Sequence, residues 1–76
     1  MRTVQININS IDKVKTFVNA VTAYDAEFDL VSGRFVIDAK SIMGIFSFDL
    51  SKPLTLKIYN DDNEQILESL KPFIVE

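Results

Sequence analysis

Apolar and polar side chains alternate at the start of the chain. Val4, Ile6 and Ile8 would lie on one side of an extended segment, with polar residues on the other. This period of two, carried by β-branched residues, predicts a strand that is buried on one face. The same alternation predicts strands at 26–31, 34–38 and 54–59. Ser32 and Gly33 form a two-residue turn signal, so the second and third strands are predicted to form a hairpin.

Apolar residues recur at spacings of three and four after the first strand. This spacing predicts an amphipathic helix from Ser10 to about Ala23. Ser10 suits the N-cap position, because its hydroxyl can accept a hydrogen bond from a free amide of the first turn. The predicted apolar stripe contains Ile11, Val14, Phe17, Val18 and Val21.

Two shorter helices are predicted further along the chain. One covers 42–47 with Ser41 as its N-cap. The other follows Asp61, which forms a capping-box pattern with Glu64, and Pro72 ends it. The element order is then β-α-β-β-α-β-α. Since each strand has one apolar face, we predict one α+β domain over 1–76, an open-faced β-sandwich with three helices on one face of a four-stranded antiparallel sheet.

The amino-acid composition excludes several classes of function before any motif is considered. The 76 residues include no cysteine and no histidine, so thiol chemistry, histidine general bases and the commonest metal ligand are excluded. The net charge is −3 and the chain has no basic cluster, so it lacks the positive surface that binding to nucleic-acid phosphates requires. No apolar run is long enough for a membrane span and no signal peptide opens the chain, so we expect a cytoplasmic protein. We expect no cofactor, and no enzyme activity, because carboxylates on an open sheet face lack an enclosed pocket.

Acidic residues invite a metal-site interpretation in two places. The first set is on the predicted hairpin strands and the second precedes the last helix; they are Asp25, Glu27, Asp29, Asp38, Asp61, Asp62 and Glu64. Neither set has the fixed offsets and glycine turn of a calcium loop. Solvated strand faces and a helix cap explain them better, so no metal site is predicted.

Three segments in the middle of the chain carry a family resemblance. They are YDAEFDL at 24–30, SGR at 32–34 and KSIMGIFS at 40–47. Together they resemble HPr, the small phosphocarrier of the bacterial phosphoenolpyruvate-dependent sugar phosphotransferase system. The resemblance extends over most of the chain after the first strand, and its KSIMG run is typical of the Gram-positive form. It implies the same β-α-β-β-α-β-α fold.

The HPr carrier site needs a histidine at the start of the first helix, followed by Arg and Pro. Counting back from Ser41 places Ser10 at the histidine position and Asp12 at the Arg position. Since the chain has no histidine, the resemblance implies that the phosphocarrier function is lost. Ser10 could be a replacement phosphoacceptor, but its role as an N-cap explains it fully.

The second family site is better matched. In Gram-positive HPr a dedicated kinase phosphorylates the serine of KSIMG, and Ser41 occupies that position. Crh-type relatives lack the histidine, keep this serine and act only on a catabolite-repression regulator. The resemblance therefore implies Ser41 phosphorylation and, as partners, an HPr kinase and a regulator of that type. The alternative is that Ser41 serves only as a helix cap.

The segment after Ser41 holds more large apolar side chains than a short helix can bury. We expect Ile45, with Met43 or Phe48, in the core, and Ile42 and Phe46 exposed. In the resembled family this surface docks proteins, so the predicted partner-binding residues are Lys40, Ile42, Met43 and Phe46. The alternatives are plain core packing and a homodimer contact, in a protein that is a monomer or a weak homodimer.

The function predicted from the sequence is a regulatory, protein-binding module. A degenerate structural HPr homologue that acts through self-association is the alternative. Asp49 stands where the family usually has glycine, which changes the loop beside the predicted docking surface.

Overall fold

The computed structural model describes residues 1–60 and 63–75. The elements along the chain are β1 (Arg2–Ile6), α1 (Ile11–Thr22), β2 (Glu27–Ser32), β3 (Phe35–Asp38), α2 (Ile42–Ile45), β4 (Leu54–Tyr59) and α3 (Glu64–Leu70). A 3-10 turn at Lys71–Phe73 follows α3 directly. The predicted element order is confirmed.

The four strands form one antiparallel sheet in the order β1-β4-β2-β3. β1 and β3 are therefore its edges. The chain after α3 returns to β1, where the Asn7 N–H donates to the Phe73 carbonyl at 2.8 Å and the Val75 N–H donates to the Gln5 carbonyl at 3.0 Å. This partly covers the β1 edge, because those backbone groups no longer face solvent.

The core lies between one face of the sheet and the helices. Its members are apolar and nearly inaccessible to solvent; they are Val4, Ile6, Ile8, Val14, Phe17, Val21, Phe28, Leu30, Ala39, Ile45, Leu54, Leu56, Ile58, Ile66, Leu70 and Phe73. Val4, Ile6 and Ile8, predicted to lie on one side of the first strand, are among them. The α+β open-faced β-sandwich predicted from the alternation is confirmed.

Two details of the first helix and the hairpin differ from the prediction. Ile11 was assigned to the buried stripe of α1 but is 62% exposed, since it is the first residue of the helix and the stripe becomes fully buried only at Val14. The hairpin turn is Gly33-Arg34, one residue later than predicted, and Ser32 pairs with Phe35. Gly33 has φ +60°, the left-handed region that favours glycine at the first central position of a type II′ turn.

The short helices also differ in their bounds. α2 ends at Ile45 rather than at residue 47, and the Ser47 N–H bonds to the Gly44 carbonyl at 3.1 Å as the last turn tightens. α3 begins at Glu64 with Asn63 as N-cap, without a side-chain cap bond. Asp61, predicted as the cap, lies outside the described residues. Within 1–60 and 63–75 no helix is both long and apolar enough to span a bilayer.

Candidate functional site

Ser41 begins α2 with an exposed hydroxyl. Its backbone is extended, with φ −93° and ψ 98°, and its Oγ accepts the Gly44 N–H at 3.3 Å. Its carbonyl accepts the Ile45 N–H at 3.0 Å. The residue is therefore the N-cap predicted from the sequence, and its side chain is reachable from solvent.

Gly44 is close to this cap. A Cβ at this position would lie 3.2 Å from the Ser41 Oγ and 3.3 Å from the Ile37 Cδ1. The side chain of a larger residue would be crowded by both the Ser41 hydroxyl and Ile37 of β3. The glycine of the KSIMG run thus leaves room for the serine and for the contact between α2 and β3.

The apolar residues of α2 divide between two faces. Ile42 and Ile45 are three positions apart and share the face that packs on the core, while Met43 and Phe46 share the other. Met43 is 79% exposed, Phe46 is 42% exposed and Ile45 is fully buried. We call Met43 and Phe46 the α2 patch.

This division corrects one sequence expectation. Ile42 was predicted to be exposed together with Phe46, but it is half-buried against the core. The reason is the i, i+3 spacing, which fixes its direction with Ile45 in a helix of one turn. Phe48, rather than Met43, is the further residue of this segment that packs on the core. Of the predicted partner-binding residues, Met43 and Phe46 are the accessible apolar pair.

Lys40 precedes the cap, but its side chain is engaged elsewhere. Its Nζ donates to the Tyr24 carbonyl at 3.0 Å and lies 5.7 Å from the centre of the Phe28 ring. Its backbone N–H donates to Asp38 Oδ1 at 2.9 Å. The half-buried ammonium joins the loop before β2 to the segment before α2, so its first role is structural.

The first turn of α1 carries Ser10 and Asp12, the positions to which the sequence resemblance assigns the carrier site. Ser10 is exposed and extended, and its Oγ accepts the Lys13 N–H at 3.1 Å. Asp12 lies in the first turn and Ile11 is exposed. Ser10 is therefore an N-cap whose hydroxyl accepts a backbone hydrogen bond. The helix that it caps, α1, also contacts α2.

Acidic residues on and beside the hairpin line an open groove next to Lys40. The groove is bordered by Asp25, Ala26, Glu27, Phe28, Asp29, Asp38, Lys40 and Tyr59. The hydrogen bond with the Asp29 carboxylate is the main reason that the pKa of Tyr59 is raised above its usual value. Among the residues that the structure describes, no group of three or more carboxylates is placed to hold a metal ion.

The family model described as the PTS HPr component phosphorylation site matches residues 12–76. This chain belongs to the HPr family of the phosphotransferase system. Members of this family are phosphocarriers rather than enzymes, and they interact with other proteins of that system. The match includes Ser41 and the α2 patch and begins two residues after Ser10.

Solved structures agree with the family assignment. The chain is 25% identical to HPr-C-His from Thermoanaerobacter tengcongensis, with a TM-score of 0.79 over 95% of this chain and 89% of that one. It is also 25% identical to the phosphocarrier protein HPr from Bacillus anthracis str. Ames, with a TM-score of 0.72 over 97% of this chain and 94% of that one. No curated protein sequence matches the chain. The fold similarity therefore extends over β1 and the α1 start, which the family model does not cover.

Proposed function

We propose that this HPr-family chain is a regulatory protein-binding module that does not carry a phosphoryl group on histidine. The 76 residues contain no histidine, and imidazole is the group on which the HPr carrier chemistry depends. The residue that corresponds to the histidine is Ser10, whose hydroxyl caps α1. Asp12 in the same turn would repel an incoming phosphoryl group. The retained surface is then available for binding rather than for transfer.

The exposure of Met43 is the observation that carries this proposal. It is 79% exposed on the face of α2 opposite the buried Ile45, although burial of such a side chain would stabilise a protein by roughly 1.5–3 kcal/mol. Phe46 lies beside it on the same face. Grouped exposed apolar side chains are typical of interaction sites, and a flexible thioether adapts to partners of different shape. The α2 patch is the proposed docking surface.

Ser41 is the proposed control point of that surface. Its exposed hydroxyl lies two residues before Met43, and the nearest lysine in sequence, Lys40, is held by the Tyr24 carbonyl. A phosphoryl group would add about −1.5 to −2 charges beside the α2 patch. Phosphorylation therefore changes the charge that a partner meets without removing a core contact. The partners proposed are an HPr kinase and a regulator of the catabolite-repression type.

Docking is tested by placing a charge in the α2 patch. Phe46→Glu and Met43→Glu should each weaken binding to the purified regulator by about tenfold or more, since a desolvated carboxylate opposes an apolar contact. Val75→Glu is the matched control, because Val75 is 52% exposed and lies beside β1. Surface plasmon resonance provides the affinities, and circular dichroism checks the fold. Binding that survives both α2 substitutions would overturn the docking surface.

Phosphorylation is tested with an HPr kinase and ATP. Peptide mass spectrometry should find the phosphoryl group on Ser41, and Ser41→Ala should abolish it. Ser47→Ala is the control, because Ser47 follows α2 by two residues and its hydroxyl donates to the Gly44 carbonyl. An unmodified Ser41 would remove the control point but leave the docking surface untouched.

The alternative function uses the same patch for self-association. Sedimentation velocity at several concentrations separates the two. A dimer that Phe46→Glu dissociates would favour a structural homologue over a regulatory module. Regulatory docking predicts that Phe46→Glu leaves the oligomeric state unchanged.

A further inference from the structure

The free edge of β3 exposes apolar side chains. β3 is the last strand of the sheet, and no other strand of the described residues pairs with its outer side. Phe35 is 65% exposed and Val36 is 58% exposed. Edge strands with apolar residues readily pair with another strand, so native proteins commonly protect them.

The direction of the backbone groups on this edge follows from the register with β2. The Ala39 N–H donates to the Phe28 carbonyl at 3.0 Å, and the same register pairs Leu30 with Ile37 and Ser32 with Phe35. Hydrogen-bonded and non-hydrogen-bonded pairs alternate along an antiparallel ladder. The N–H and C=O of Val36 therefore point away from β2, where they can pair with another strand.

The residues on either side of Val36 are self-complementary. If two copies of β3 pair antiparallel about a two-fold axis at Val36, Arg34 of each copy lies opposite Asp38 of the other. Phe35 of each copy then lies opposite Ile37 of the other, and directly opposed side chains interact most strongly. A two-fold axis at Phe35 or at Ile37 would instead place an apolar Val36 opposite Arg34 or Asp38. Only the Val36 register pairs opposite charges.

We propose that the β3 edge binds a second copy of this chain in this register, so that the two sheets become continuous. The contact would contain two Arg34–Asp38 pairs, two Phe35–Ile37 contacts and the reciprocal backbone bonds of Val36. A strand of four residues makes a small interface, so the dimer is expected to be transient and to depend on concentration. It does not depend on the proposed docking function.

The absence of cysteine allows a direct test by cross-linking. Directly opposed residues in a hydrogen-bonded pair have Cα atoms about 5.5 Å apart, within the range that a disulfide spans. Val36→Cys should therefore give a disulfide-linked dimer as the main product under mild oxidation. Phe35→Cys and Met43→Cys are controls that should cross-link more slowly, since neither lies on the proposed axis and both residues are well exposed. These three variants keep Arg34 and Asp38 intact.

Charge reversal tests the register independently. In the Val36→Cys background, Arg34→Asp alone or Asp38→Arg alone should each lower the yield by about threefold or more, because like charges then face each other. Mixing these two variants should restore cross-linking as the mixed dimer, which differs in mass from either homodimer. A Val36→Cys rate no faster than that of Met43→Cys would overturn the proposal. So would cross-linking in which neither charge reversal changes the yield.

Discussion

Two serine hydroxyls cap the first turns of α1 and α2, and each does so with one local hydrogen bond. Ser10 and Ser41 were both predicted as N-caps from the sequence, and each accepts an N–H from the residue three positions later. The prediction succeeded because capping is a local interaction that depends on residue type and spacing. In Ser41 the same atom is also the proposed phosphoacceptor.

Ser41→Ala should lower the free energy of unfolding by about 1 kcal/mol, because the Gly44 N–H loses its partner. Ser41→Asp should retain most of this stability, since a carboxylate also accepts that bond. Urea unfolding followed by circular dichroism measures both variants. Ser10→Ala is the reference, because it removes the same kind of bond from the longer α1. If Ser41→Ala and the unchanged protein have the same free energy of unfolding, the Ser41–Gly44 hydrogen bond does not stabilise α2.

Among single elements, the loop after α2 is held by one side chain. The Oδ1 of Asp49 accepts the Ser51 N–H at 3.1 Å and the Ser51 hydroxyl at 2.6 Å. These bonds stabilise the ionised carboxylate, so the pKa of Asp49 is lowered below its ordinary value. The aspartate thus closes the loop with its side chain.

The lowered pKa predicts an acid-sensitive loop. The stability that the Asp49–Ser51 bonds contribute is present above the unfolded-state pKa and is lost as the pH falls through the lower folded-state value. Carboxyl chemical shifts should therefore show that the pKa of Asp49 lies below the ordinary value of an aspartate. Asp49→Asn should make the loss of stability at acid pH shallower. A titration midpoint for Asp49 at or above the ordinary aspartate value would contradict the hydrogen bonds between Asp49 and Ser51.

The helices also show where sequence patterns stop being informative. Periodicity assigned Val14, Phe17 and Val21 correctly to the core. It failed at Ile11, because a helical stripe gives the direction of a side chain but not the extent of the layer that covers it. For α2 the predicted end at residue 47 was wrong, and Ile42, which shares a face with Ile45, is half-buried rather than exposed.

For the protein as a whole, the fold was more predictable than the site. Alternation gave the strands and the element order, and the KSIMG run gave the family, which the match over residues 12–76 shows. The strand order β1-β4-β2-β3 and the register depend on contacts distant in sequence, which local periodicity does not encode. For the same reason the sequence could not reveal that Lys40 bonds to Tyr24, or that β3 lies at an edge of the sheet.

We propose that this chain retains the HPr fold without the chemistry of phosphoryl transfer on histidine. The most direct test incubates the protein with phosphoenolpyruvate and the phosphoryl-donor enzyme of the phosphotransferase system, with a histidine-containing HPr as the positive control. Intact-mass spectrometry under conditions that preserve phosphohistidine should find the phosphoryl group on the control alone. A phosphoryl group gained by this chain from phosphoenolpyruvate, on Ser10 or on any other residue, would contradict the account.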